Sequence, residues 1–212
     1  MRLAVIFPSR GLAFSETVEE VIREVTSVNV PARIFFSHSR QIPDCFNIPA
    51  GLALNHQFTH FWFVEDDMVL PEGILQEMLD LEVPAVTADY PVTDDAYSIC
   101  YDEQGHVLWS GTGCLLMDRD TLLRVYPFST DWMYTWAKHG WEKKPVTETY
   151  RPHAYGLHDV HLGMTLYNQG TPLAVAPTMA NQRRITRFGE EKQNANGWHD
   201  INVFSMPDKE RP

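Results

Sequence analysis

Phe61-Trp62-Phe63-Val64-Glu65-Asp66-Asp67 sets four large apolar residues directly against three consecutive carboxylates. Successive side chains of an extended chain point to opposite faces, so four apolar neighbours need cover on both, and the run reads as a buried strand of an α/β sheet. Its acidic end then falls at the carboxyl edge of that sheet, where open α/β folds bind their ligands. Three negative charges within one turn of chain repel each other, and a hard divalent cation with oxygen ligands is their natural neutraliser. A solvated acidic turn or a helix cap uses the same residues with no ligand, so the motif needs support from elsewhere in the chain.

On the amino side, Leu3–Phe7 is an apolar run that breaks at Pro8-Ser9-Arg10-Gly11, which predicts a first strand ending in a tight loop. Ser15 is the expected cap of a helix whose apolar stripe is Val18, Val21, Ile22 and Val25. Ala32–Phe36 predicts a second strand, followed by the polar stretch Ser37-His38-Ser39-Arg40, and residues 48–58 predict a helix leading into the acidic strand. Beyond it, Pro71 is expected to open a helix along Ile74, Leu75, Met78 and Leu79, with Val83–Thr87 the next strand. This βαβαβ alternation predicts a mostly parallel sheet with right-handed crossovers. After Tyr90 the texture changes. Asp102-Glu103-Gln104-Gly105 predicts a hairpin, Gly111-Thr112-Gly113 enters a strand at Cys114–Met117, and residues 156–169 predict a helix closed by Gly170 before a last strand at 173–176.

At 212 residues the chain is expected to be one domain, large enough to bury about 70% of its unfolded surface. Hydrophobic residues make up 44% and charged residues 21%, ordinary usage for a globular protein. With 17 Lys and Arg against 28 Asp and Glu, the net charge of −11 argues against nucleic acid as a partner. Cys45, Cys100 and Cys114 are odd in number and form no CxxC pair, which fits reduced thiols and no zinc site. The apolar start Met1–Phe7 is too short for a signal sequence or a membrane span, so a soluble, cytoplasmic protein is expected. Residues 206–212 read as a polar linker, as in a domain of a longer multidomain chain.

Three features together, a strand ending in an acidic triplet, a later Gly-rich strand entry and a helix opening on an acid, resemble a GT-A glycosyltransferase of the small family-2-like type. The resemblance spans Leu3 to about Ala176 and implies a single GT-A domain. Its nucleotide-binding half would be about 1–90 and its acceptor-binding half about 91–205. The resemblance implies nucleotide contacts from Pro8, Ser9 and Arg10 and from Ser37, His38 and Arg40. The triplet is similar to the family's DxD motif: Asp67 would be the direct ligand of Mn²⁺ or Mg²⁺, with Glu65 supporting the metal and Asp66 the ribose or a metal water. Gly111, Thr112 and Gly113 look like the strand entry beneath the sugar and acceptor. Tyr155-Gly156-Leu157-His158-Asp159 resembles the xED-type element, which makes Asp159 the expected general base and places His158, where the family usually has Glu, beside the sugar. Many members carry a His some twenty residues later as a third metal ligand; here Pro177–Gln182 has none, which leaves either a thinner shell of Asp67 and diphosphate oxygens or His199 as the substitute. Similar small domains occur in large DNA viruses, where they build glycans on capsid protein.

The chemistry so implied is transfer of a sugar from a nucleotide-diphosphate sugar, a UDP-sugar above all, to a hydroxyl of a glycan or glycoprotein. Arg183, Arg184, Arg187 and Lys192 form a basic stretch that reads either as a cover for the diphosphate or as an exposed polar segment. Trp132, Tyr134, Trp136 and Trp141, with His139, make an aromatic belt without clear sheet character, read as packing before sugar platform. His153, His158 and His161 do not match the HExxH spacing of zinc hydrolases. Two other functions remain open: a sugar-phosphate nucleotidyltransferase, whose GxGxR-like loop Pro8-Ser9-Arg10-Gly11 lacks, and a non-catalytic nucleotide- or carbohydrate-binding module.

Overall fold

A computed structural model describes residues 1–9, 13–37, 39, 41–93, 96–137, 140–145, 154–156, 158–183, 191–193 and 199–201. The chain opens as β1 (Leu3–Phe7), α1 (Ser15–Ser27), β2 (Ala32–Phe36), α2 (Asp44–Leu54) and β3 (His60–Val64). A short β4 (Met68–Val69), α3 (Ile74–Asp80) and β5 (Ala85–Thr87) come next. β6 (Pro91–Thr93) pairs with β7 (Ala96–Tyr97), and β8 (Ile99–Tyr101) with β9 (Val107–Ser110), the hairpin expected around Asp102–Gly105. The remaining elements are β10 (Cys114–Asp118), α4 (Arg119–Val125), β11 (Trp132–Ala137), β12 (Gly140–Pro145), β13 (Ala154–Gly156), α5 (His158–Asn168), β14 (Ala174–Val175), β15 (Asn181–Gln182), β16 (Glu191–Gln193) and β17 (His199–Ile201).

The central sheet has six strands in the order β14-β5-β10-β3-β1-β2, and β10 alone runs antiparallel to its neighbours. The mostly parallel α/β fold expected from the sequence is the one observed. Phe61 and Phe63 face one side, among Phe46, Ala50, Leu122, Leu162 and Leu166 of α2, α4 and α5. Trp62 and Val64 face the other, among Val21, Ile74, Leu75 and Met78 of α1 and α3. Phe61, Trp62 and Phe63 are fully buried, each contributing on the order of 2–3 kcal/mol of apolar burial. Helices on both faces are what a strand with no polar face requires.

Several local expectations shift. Ser15 lies inside the first turn of α1 and its Oγ donates to Glu16 Oε2 (3.1 Å), while Phe14 holds the N-cap position without a side-chain bond. The inward face of α1 is rotated: Thr17, Val21 and Glu24 are buried and Ile22 is 51% exposed. Thr17 and Glu24 turn inward because their side chains bond the backbone around β4 and the start of α3. α2 begins at Asp44, ahead of the expected start, and carries Pro49 in its interior. α3 begins at Ile74, three residues past Pro71, because Gly73 (φ +85°) occupies the cap in a left-handed conformation that glycine adopts without strain. The aromatic belt is a hairpin: β11 and β12 pair antiparallel from Trp132↔Pro145 to Ala137↔Gly140, and β13 extends them. Trp132, Tyr134 and Trp136 recur at every second position, the period of a strand, which residue-type counting overlooks.

Candidate active-site cleft

The acidic loop is held from three directions. The Glu65 amide donates to the Gly113 carbonyl (3.0 Å), the Phe14 amide to the Asp66 carbonyl (3.1 Å), and the Met68 amide back to the Glu65 carbonyl (3.3 Å). α1 grips the next few residues of the loop. Thr17 Oγ1 donates to the Met68 carbonyl (2.6 Å), the Arg23 guanidinium to the Leu70 carbonyl (2.6 Å), and Glu20 Oε2 accepts from the Leu70 amide (2.8 Å). Glu24, fully buried, accepts from the Gly73 and Leu75 amides (3.2 and 3.3 Å) at the start of α3. Two acids of an amphipathic helix are therefore loop anchors, a use that their solvent-facing look in the sequence hides.

Arg183 completes the clamp. Its guanidinium donates to Glu20 Oε1 (2.7 Å), to Thr17 Oγ1 (2.7 Å) and to the Met68 carbonyl, and its amide donates to the Asp67 carbonyl (2.6 Å). Arg183 thus ties the acidic loop to α1; Arg184 and Arg187 lie outside the described residues, and of Lys192, in β16, only the backbone is described. Asp67 Oδ2 accepts from Gln182 Nε2 (2.9 Å) on β15, in the very stretch where the resembled family has its His. His199 falls in β17, and its side chain lies outside the described set.

A cleft of about 270 Å³ opens beside this loop at the carboxyl edge of the parallel strands. Of the residues singled out from sequence, Pro8, Glu65, Asp66, Gly111, Thr112, His158 and Asp159 line it, brought from four separate segments. Asp67 is not among the lining residues, but its bond partner Gln182 is. Ser9 and Ser37 are buried at the ends of β1 and β2 and do not line this cleft. Ser37 Oγ accepts from the Ser39 amide (3.1 Å), closing the turn after β2. Arg10, His38 and Arg40 lie outside the described residues.

Thr112 joins the two expected halves of the site. Its Oγ1 donates to Glu65 Oε1 (2.8 Å) and lies 3.1 Å from His158 Nε2. His158 is buried, its ring 4.2 Å from that of Phe46, and burial holds its pKa down to about 4, so the imidazole is neutral. Asp159, next to it, accepts from the Val160 amide (2.8 Å) in the first turn of α5; burial raises its pKa against the pull of the surrounding amides. Glu65 is pushed up to about 7, first by burial, then by the charge of Asp67, with Asp159 and Asp66 adding to it and the Thr112 hydroxyl opposing. Carboxylates that resist ionisation for want of countercharge are a fitting donor set for a hard cation. Among the described residues no three His, Cys, Asp or Glu side chains form a ready cation cage. Part of any coordination shell would have to come from a ligand.

The glycines also make room for a side chain within the protein. A Cβ on Gly113 would sit 2.8 Å from the Tyr90 ring and 2.7 Å from Met68 Sδ, and one on Gly111 would strike the Tyr90 hydroxyl. The space that a side chain would take at either position is filled by Tyr90, while Gly111 also lines the cleft. Tyr90 itself, with Trp109, Phe46, Cys45 and Ser98, lines the cleft and escaped the sequence reading, since each is an ordinary core type with no motif around it.

No family model and no curated protein matches this chain. Solved structures do resemble it. The inositol-1-phosphate CTP transferase from T. maritima aligns over 86% of this chain and 89% of its own length, at 11% identity and a TM-score of 0.50. This chain shares that fold. Weaker likenesses are to A197 from STIV (14% identity, 98% of this chain and 97% of that one, TM-score 0.49) and to CMP:2-keto-3-deoxy-manno-octonic acid synthetase complexed with CTP (11%, 82% and 89%, TM-score 0.43). At such identities the likeness concerns architecture alone. Among the described residues no helix is long and apolar enough to cross a membrane.

Proposed function

We propose that this chain is a metal-dependent glycosyltransferase that moves a sugar from a nucleotide-diphosphate sugar, UDP-linked first of all, to a hydroxyl of a glycan or glycoprotein. The observation that carries the reading is the convergence of Asp159 with Glu65 and Asp66 on one cleft at the carboxyl edge of the sheet. Asp67 would be the direct ligand of Mn²⁺ or Mg²⁺, with Glu65 in support and diphosphate oxygens completing the shell, and Asp66 would serve the ribose or a metal water; such a cation would supply Lewis-acid neutralisation of charge building on the departing diphosphate. Pro8 borders the nucleotide end. Asp159 accepts the proton of the acceptor hydroxyl as its oxygen bonds to the anomeric carbon and the bond to the diphosphate breaks, with inversion. A carboxylate made more basic by burial suits that role at neutral pH.

A second reading, nucleotidyl transfer to a sugar phosphate, draws support from the fold shared with a CTP transferase. Against it stands the absence of a Gly-rich loop after β1. Thermal shift with nucleoside diphosphates and nucleotide-sugars, with and without Mn²⁺, tests the first reading. Manganese-dependent stabilisation by a nucleoside diphosphate is expected; its absence across the panel would sink the proposal. Pyrophosphate release from a nucleoside triphosphate and a sugar phosphate, without sugar transfer, would favour the second.

A further inference from the structure

The hydroxyl of Thr112 carries a single hydrogen, and wherever Glu65 is ionised that hydrogen goes to Glu65 Oε1, 2.8 Å away. Toward His158 Nε2, 3.1 Å away, Thr112 Oγ1 is left able only to accept. The proton of the neutral ring therefore sits on Nε2, and Nδ1 keeps its lone pair. Nδ1 is buried and has no hydrogen-bond partner among the described residues. The ring is 5% exposed, tilted by 40° against Phe46 at 4.2 Å, with Phe128 at 6.3 Å. A buried acceptor with no donor is costly, and native structures keep one where something outside the chain supplies the donor.

We propose that His158 Nδ1 is a fixed hydrogen-bond acceptor for a hydroxyl of the ligand that fills this cleft, its tautomer imposed by the Thr112–Glu65 pair. His158 lines the cleft together with Thr112, Glu65, Asp66 and Asp159. A deprotonated phosphate oxygen offers no proton to Nδ1, whereas a sugar hydroxyl does, and under the transferase reading that hydroxyl is the donor. The apolar sides of Phe46 and Trp109 in the same cleft suit the C–H faces of such a ring. Only the naming of the ligand as a sugar rests on the transferase reading; the hydrogen bonds alone set the tautomer. His158 acts here as a specificity-determining residue, with Thr112 as its positioning residue.

Nitrogen NMR of protein labelled with ¹⁵N in its histidine rings tests this on the free chain at mildly alkaline pH, where carboxylates are ionised. The expected spectrum shows His158 with Nε2 protonated and Nδ1 bare. T112S should keep that tautomer and T112V lose the bias toward it. Titration with methyl glucoside, methyl galactoside, methyl mannoside and UDP-hexoses with Mn²⁺ should move the Nδ1 resonance for at least one probe. H158Q, which keeps a donor for Thr112 and removes the Nδ1 acceptor, should bind that probe roughly tenfold more weakly, and H158N, with a polar atom at the Nδ1 position, should restore most of the affinity. An Nδ1-protonated ring in the free protein, no Nδ1 response to any probe, or wild-type binding by H158Q would each overturn the proposal. A sugar response without Mn²⁺-dependent nucleotide binding would instead retire the transferase reading and leave this one standing.

Discussion

The Gly113 amide donates to the Tyr90 hydroxyl at 3.2 Å, and a Cβ on that glycine would lie 2.8 Å from the Tyr90 ring. The ring is buried, and its phenol is driven well above the ordinary range by burial and by the charge of Glu65. One tyrosine thus packs the floor on which the Glu65–Thr112–His158 chain stands.

G113A is expected to destabilise the fold by about 1–3 kcal/mol, the usual cost of overpacking a filled site, because backbone and ring must separate. Y90F, which only removes the acceptor for the Gly113 amide, should cost about 1 kcal/mol. Urea denaturation of both variants measures this, and a near-wild-type G113A would show that the floor yields to an added methyl group.

Glu65 has a raised folded-state pKa, about 7 against an ordinary 4.5, so folding takes up a proton at this site. Its contribution is fully present below the unfolded value and is lost as pH rises from about 4.5 through about 7. E65Q should therefore gain stability relative to wild type above neutral pH, by on the order of 1–3 kcal/mol, and lose that advantage in acid. Thermal melts of the two proteins across this range give the answer; parallel curves would contradict it. If the acidic loop takes a cation, Mn²⁺ should stabilise wild type more above neutral pH than in acid.

Glu20 and Arg183 form a partly buried pair, their side chains 16% and 18% exposed, that also serves the Leu70 amide and the Met68 carbonyl. E20A removes the charge partner of the guanidinium, which keeps Thr17 and the Met68 carbonyl, and the acceptor of the Leu70 amide, with an expected loss of roughly 2–3 kcal/mol. The acidic loop should loosen with it, seen as faster amide exchange at Asp67–Leu70. Unchanged exchange there would mean that the remaining α1 contacts hold the loop without this pair.

Asp159→Asn removes the basic oxygen while leaving the residue's shape and the first turn of α5. Under the transferase reading, turnover should fall about 10²- to 10⁴-fold with nucleotide binding retained. Equal loss of binding and turnover would assign Asp159 to ligand holding instead.

What could be read from residues alone was whatever local periodicity controls. Phe61–Val64 has no polar face, so it had to be covered on both sides, and the carboxyl edge of its sheet had to carry Glu65–Asp67. The hairpin at Asp102–Gly105 and the αL stop at Gly170 (φ +70°) were equally legible, because turn chemistry is local. Side-chain partnerships across long stretches were not. Thr112 meets Glu65 and His158 at separations of 47 and 46 residues, and Arg183 meets Glu20 across 163. Those meetings depend on β10 running antiparallel between β3 and β5, which sets Gly113 beside Glu65, and on Tyr90 filling the space over the glycines. The sequence determined that a buried strand delivers acids to the carboxyl edge of its sheet, a consequence of the two-residue period of an extended chain. Only the tertiary structure decided which acids line the cleft and which proton the histidine keeps, because strand order and packing, not spacing, choose each side chain's neighbours.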